Sequence, residues 1–146
     1  MFGAGLGSDN SGEFSKFGEE ADPKARAALL DDGLAELQRY WGGAFQPRPA
    51  HRIPIWLAAR WPNRRPGRRA ARFEGLFPID LPGPDALAEL VAEVPPPPFD
   101  VIVTNEAGSD LQPWARAGAT WCLTGFSNQP PLREVRAAIA AGPSQG

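Results

Sequence analysis

Ile53-Pro54-Ile55-Trp56-Leu57-Ala58-Ala59 is a short apolar run suited to a strand buried on both faces. Pro54 belongs near its start, because proline has no N–H to give to a sheet ladder. From this stretch onward the chain alternates. A polar turn leads to a helix predicted from about Pro66 to Phe73, and Gly75-Leu76-Phe77-Pro78-Ile79 reads as the next strand. Pro84 opens a helix whose Leu87, Leu90, Val91 and Val94 share one face, and the run Pro95-Pro96-Pro97-Pro98 breaks it. Phe99-Asp100-Val101-Ile102-Val103-Thr104 is the clearest strand in the chain. Asp110 can cap a short helix through Ala117, with Gly118 as its stop. Ala119-Thr120-Trp121-Cys122-Leu123-Thr124 forms the fourth strand, and a last helix from Pro131 presents Leu132, Val135 and Ile139 before Gly142. Each strand–helix–strand unit implies a parallel pair joined by a right-handed crossover. The reading over 53–142 is therefore α/β, a parallel (βα)4 array, which pattern alone leaves as an open sheet or half of an eight-stranded barrel.

Upstream, residues 1–43 predict a glycine-rich loop followed by a long helix, with at most a stub of strand. Asp22 can cap that helix and Pro23 suits its first position, where no amide donor is needed. Leu30, Leu34, Leu37 and Trp41 form its apolar stripe, and Gly42-Gly43 stops it. The whole of 1–146 reads as a single domain.

Composition removes several function classes. One cysteine, Cys122, and one histidine, His51, exclude an internal disulfide and a cysteine- or histidine-built metal centre. The formal net charge of −2 gives no global reason to expect nucleic acid or an anionic membrane as partner. No signal peptide or membrane-length apolar run is present, so a cytoplasmic protein is expected.

The chemistry concentrates in Ala59-Arg60-Trp61-Pro62-Asn63-Arg64-Arg65-Pro66-Gly67. A turn that leaves the carboxyl end of a parallel strand and opens a helix exposes amides at the helix's positive end, which suits phosphate. Guanidinium groups of Arg60, Arg64 or Arg65 can add bidentate, charge-assisted hydrogen bonds. The plainer account is a solvated basic helix start. Arg65, Arg68, Arg69 and Arg72 also follow helical spacing, and that face reads as a solvated outer surface rather than a grip on nucleic acid. After the fourth strand, Thr124 offers a hydroxyl and Gly125 permits close backbone approach, although an ordinary turn needs the same residues. Thr104, Asn105 and Glu106 sit at the same end of the preceding strand, and Glu106 is a candidate substrate contact. Gly3-Ala4-Gly5-Leu6-Gly7 fails the dinucleotide spacing, since position 8 is Ser8. His51 reads as a surface residue, Cys122 as inert core, and Trp56 and Trp121 as core or barrel lining. No nucleophile–base pair or paired-carboxylate site stands out.

Several stretches resemble the luciferase-like monooxygenases, the LLM class of flavin-dependent oxidoreductases. Gly5-Leu6-Gly7, Glu13-Phe14, Phe17-Gly18, Arg26, Leu30-Asp31, Leu34, Leu37 and Trp41 are similar to the segment after that family's fourth barrel strand. Residues 54–59 and 69–78 resemble strands five and six, and Ala117-Gly118-Ala119-Thr120-Trp121 resembles the start of strand eight. The resemblance implies the C-terminal half of a TIM-type barrel, truncated so that strands one to three are lacking. It implies an oxidoreductase or monooxygenase using FMN or a deazaflavin coenzyme, with the cofactor performing the redox chemistry. It places the cofactor phosphate at Ala59, Arg60, Asn63, Arg64 and Arg65, with Thr124 and Gly125 as further cofactor contacts, and suggests Gly7, Asp9 and Asn10 nearby. It assigns no catalytic side chain and no metal. The alternative is a non-catalytic half-barrel that acts by self-association, as a homodimer, or by pairing with a separate N-terminal half.

Overall fold

The computed structural model describes residues 1–143, and the chain folds as two compact units, Met1–Pro54 and the residues from Ile55 on. In the first unit, Phe2–Ala4 forms a three-residue strand, β1. The Phe2 N–H donates to the Pro54 carbonyl at 2.7 Å. Asp9 Oδ1 accepts from the Phe14 and Ser15 N–H groups at 2.8 and 3.0 Å, shaping a 3-10 turn at Ser15–Phe17. Those hydrogen bonds, that of Ser15 first, hold the Asp9 carboxyl below its usual range.

Helix α1 spans Pro23–Arg39, and Asp22 Oδ1 accepts from the Lys24 and Ala25 N–H groups at 3.0 and 2.8 Å. The cap and the proline at N1 thus occupy the positions the sequence gives them. Leu34 from the apolar stripe is buried, as is Arg26, whose guanidinium lies 4.4 Å over the Phe14 ring. The helix does not stop cleanly at the glycine pair. It loosens into a π-helical turn at Tyr40–Ala44, and Gly43, at φ 122°, takes the backbone out of helical geometry.

The second unit builds its sheet from β2 (Ile55–Arg60), β3 (Gly75–Ile79), β4 (Asp100–Glu106) and β5 (Trp121–Gly125), neighbours in chain order. All three pairings among them are parallel. The helices are α2 (Arg65–Ala70), α3 (Pro84–Val91), α4 (Gln112–Arg116) and α5 (Leu132–Ala141). The chain is thus α/β with parallel strands, as its alternation predicts. Boundaries shift by a few residues. β2 begins after Pro54 and runs on to Arg60, α2 ends before Phe73, and α3 ends before Val94. Asp110 Oδ1 does accept from the Gln112 N–H at 2.9 Å, and Gly118 adopts φ 102° behind α4.

Register separates the two faces of this sheet. Trp56 pairs with Gly75 and Gly75 with Asp100, while Ile102 pairs with Trp121. Strand alternation then puts Trp56, Ala58 and Arg60, with Gly75, Phe77, Ile79, Asp100, Ile102, Thr104, Glu106, Trp121, Leu123 and Gly125, on one face. Ile55, Leu57, Ala59, Leu76, Val101 and Val103 point to the other, and all six are buried. Helices cover this second face: a cleft there joins Val91 and Val94 to Val101. A second cleft joins Trp114 and Ala115 to Cys122 and Thr124. Burying the five larger of these side chains, Ile55, Leu57, Leu76, Val101 and Val103, stabilises the unit by roughly 1.5–3 kcal/mol each.

The last units depart from the expected core. Trp121 is 46% exposed and Leu123 42%, and in α5 no side chain is buried, with Leu132 63% and Ile139 74% exposed. Cys122 is half-buried rather than fully enclosed, and burial pushes its thiol up. His51 is exposed, as a surface residue.

Candidate functional site: the arginine turn at the carboxyl rim

The turn between β2 and α2 lies at the carboxyl end of β2, and because every pairing is parallel, the carboxyl ends of β3, β4 and β5 share that rim. Arg60 is the last residue of β2, exposed and on the same face as Gly125. Its guanidinium Nη1 makes an ion pair and a hydrogen bond with Asp80 Oδ2, from the turn that leaves β3. Asp80 holds φ 61°, a left-handed conformation that a short polar side chain tolerates best. Register explains the pair: Arg60 lies opposite Ile79, so the next residue, Asp80, falls beside it.

Arg64 is also engaged. Its Nη2 donates to Glu89 Oε2 at 3.2 Å, and its Nη1 lies 3.3 Å from Glu93 Oε1, without hydrogen-bond geometry in the second case. Its guanidinium also lies 4.4 Å over the Trp61 ring. This arginine ties the turn to α3 and its C-terminal extension. Asn63 Oδ1 accepts from the Arg65 N–H at 3.1 Å, so one of the helix's leading amides is already satisfied, and Pro66 has none to offer. Arg65 itself is exposed, and no ion pair holds it among the described residues. Ala59 is buried at 3% with its methyl on the helix-covered face, so it can approach a ligand only through its backbone.

At the far side of the rim, Gly125 joins Thr104, Glu106, Phe126, Ser127 and Glu134 around an open pocket of about 500 Å³. Thr104 crowds Gly125 closely: a Cβ there would meet Thr104 Cγ2 at 2.6 Å. Thr124 alternates to the other face and lines a different cleft, of about 300 Å³, with Asn105, Trp114 and Cys122. The structure therefore brings Arg60 and Gly125 to one face of one rim and separates Thr124 from them. At about 4.8 Å per strand, β2 and β5 stand roughly 14 Å apart along that rim.

Sequence reasoning missed Asp80, Glu89 and Glu93, the carboxylates that engage the arginines. It also missed Asp100, which accepts from Trp56 Nε1 through Oδ2 and from Trp121 Nε1 through Oδ1, each at 3.0 Å. The two indoles lie 5.5 Å apart across this carboxylate. Gly75 makes the arrangement possible, since a Cβ there would come within 2.5 Å of Trp56 Cδ1. The signal in each case is register, which places residues distant in sequence side by side.

For a phosphate the turn offers the right charge sign and an incomplete donor set. Arg65 is at hand, Arg60 can be released by exchange of one carboxylate, and Arg64 is committed to α3. Among the described residues no helix is long and apolar enough to cross a membrane. No protein-family model, no curated protein and no solved structure matches the chain.

Proposed function

We propose that this chain is the C-terminal half-barrel of a luciferase-like flavin-dependent oxidoreductase, binding the phosphate of FMN or a deazaflavin coenzyme at residues 60–65. The observation that carries this reading is the arginine turn at the carboxyl rim of parallel strands, where α/β barrels gather their ligand sites. The ordered likeness of 5–41, 54–78 and 117–121 to that family supports it further.

In this reading Arg65 meets the phosphate directly and Arg60 joins it by leaving Asp80. Asn63 holds the turn by accepting from the Arg65 N–H, and Arg64 anchors it to α3 as a positioning residue. Gly125, on the same face across the rim, gives the remainder of an extended cofactor an open pocket beside Thr104 and Glu106. Bound flavin supplies the redox chemistry, and these residues hold and orient it.

Titration of the chain with FMN or deazaflavin coenzyme, followed by tryptophan quenching, tests the proposal. Saturable quenching that weakens about tenfold or more in Arg65→Ala is expected, since one charge-assisted hydrogen bond contributes about 1.5–3 kcal/mol. Absence of saturable binding by the wild-type chain would overturn it.

A further inference from the structure

The ladder between β3 and β4 ends early. β2 and β3 pair as far as Arg60 and Ile79, whereas β3 and β4 pair only at Gly75–Asp100 and Leu76–Val101. Proline supplies the cause. The Trp61 N–H donates to the Ile79 carbonyl at 2.9 Å, so Ile79 and, by alternation, Phe77 and Gly75 turn their main chain toward β2. Leu76 and Pro78 then turn toward β4. The next rung, Phe77 with Ile102, needs an N–H from Pro78, and proline has none. Where the ladder is missing, at the carboxyl rim, a pocket of about 170 Å³ opens between the end of β3, β4 and α4.

Most of its lining is apolar: Pro78, Ile79 and Leu81 from the β3 side, Val103 from β4 and Trp114 from α4. Val103 is 1% exposed and Pro78 is buried, so these two form the floor. Asp80 and Thr104 complete the lining, both exposed at the rim. Asp80 carries the one charge among the lining residues. Its Oδ2 is taken by Arg60, whereas its Oδ1 and the Thr104 hydroxyl have no partner among the described residues. We propose that this pocket binds a small primary ammonium ion with an aliphatic body of up to about six carbons. The ammonium head donates to Asp80 Oδ1 and Thr104 Oγ1, and the chain lies on the apolar wall.

An ammonium group brings several donors and a positive charge, which suits an open carboxylate oxygen beside a hydroxyl. A carboxylate ligand would meet Asp80 as a like charge, and would have to displace it to reach Arg60. A metal ion is poorly served, because no group of three His, Cys, Asp or Glu that could hold one occurs among the described residues. Volume sets the body, since a cavity of about 150 Å³ accepts a benzene ring. Each methylene that leaves water for the wall tightens binding about fourfold. A ligand of about seven heavy atoms then binds with Kd on the order of a millimolar. The site does not rest on the flavin reading, which uses Asp80 only as the group that Arg60 leaves.

Isothermal calorimetry of the full chain with propyl-, butyl-, pentyl- and hexylammonium chloride measures the binding directly. Affinity should rise about fourfold per methylene up to about six carbons and level off for octylammonium, once the pocket is full. Hexanoate should bind about tenfold or more weakly than hexylammonium. Asp80→Asn, a change in an exposed ion pair that leaves the circular dichroism unaltered, should weaken hexylammonium about tenfold or more and leave 1-hexanol unchanged. The same variant should bind FMN more tightly if the flavin reading holds, so the two proposals fail independently. Absence of saturable hexylammonium binding overturns the ammonium site. So does hexanoate binding as tightly, an affinity that ignores chain length, or an unchanged affinity in Asp80→Asn.

Discussion

Replacing Gly75 with alanine adds one methyl group, and the geometry around it sets a large cost. The new Cβ would lie 2.5 Å from Trp56 Cδ1, 2.9 Å from Trp56 Nε1 and 2.9 Å from Asp100 Cβ. None of these is the loose end of a flexible chain. The indole is held by its N–H to Asp100 Oδ2, and Asp100 Cβ sits one bond from the β4 backbone. Either the ring moves, giving up a hydrogen bond to a carboxylate that contributes about 1.5–3 kcal/mol, or β3 and β4 separate, with overpacking costs of about 1–3 kcal/mol. Alanine restores roughly 0.5–1 kcal/mol through lower chain entropy. The net loss is about 1–2 kcal/mol. Urea unfolding followed by tryptophan emission measures it, and at an m-value of about 2 kcal/mol per molar the midpoint should fall by about 0.5–1 M. Gly33→Ala, in the interior of α1 with open space around its Cα, is the matched control and should be neutral or stabilising. An unchanged midpoint for Gly75→Ala, with native tryptophan emission, would refute the Trp56–Asp100–Trp121 packing described above.

Asp80→Asn removes the carboxylate that occupies Arg60, and asparagine tolerates the left-handed backbone there. FMN affinity should rise severalfold by fluorescence titration while stability changes by under about 1 kcal/mol, because the pair is exposed. Arg64→Ala should behave in the opposite manner, lowering the thermal midpoint through lost contacts to Trp61, Glu89 and Glu93 while changing FMN affinity far less than Arg65→Ala does. Hydrogen bonds from Arg39, then Tyr40, pull the Glu36 carboxyl from 4.5 down to about 2. A depressed folded-state value means this stabilisation is full above about pH 4.5 and is lost as pH falls toward 2. Glu36→Gln should remove that component of the acid dependence of α1 helicity, read by circular dichroism.

The alternating architecture was legible because its signals are local. Pro54, Pro84, Asp22 and the glycines behind the helices mark boundaries through backbone chemistry that needs no partner, and the short apolar runs announce strands buried between layers. Boundaries drifted where tertiary pairing decides them. Arg60 is a poor strand residue by composition, yet it continues β2 because Ile79 lies opposite.

The site was legible only as a cluster of like charges. Nothing within 60–65 says that Arg60 would meet Asp80, twenty residues away, or that Arg64 would meet acids on the α3 segment. Those partners are set by register and helix packing, which lie outside any local window. The same holds for Thr124 and Gly125, adjacent in sequence and on opposite faces of the sheet. The apolar pattern of β5 and α5 predicts burial that the described residues do not provide.

Comparing FMN with riboflavin on the wild-type chain probes the arginine turn most directly, since the two differ by the phosphate alone. If Arg65 and a released Arg60 hold that phosphate, FMN should bind about tenfold or more tightly than riboflavin, and the difference should shrink in Arg65→Ala. Equal affinity for the two, or binding of neither, would contradict the assignment of residues 60–65 as a phosphate site.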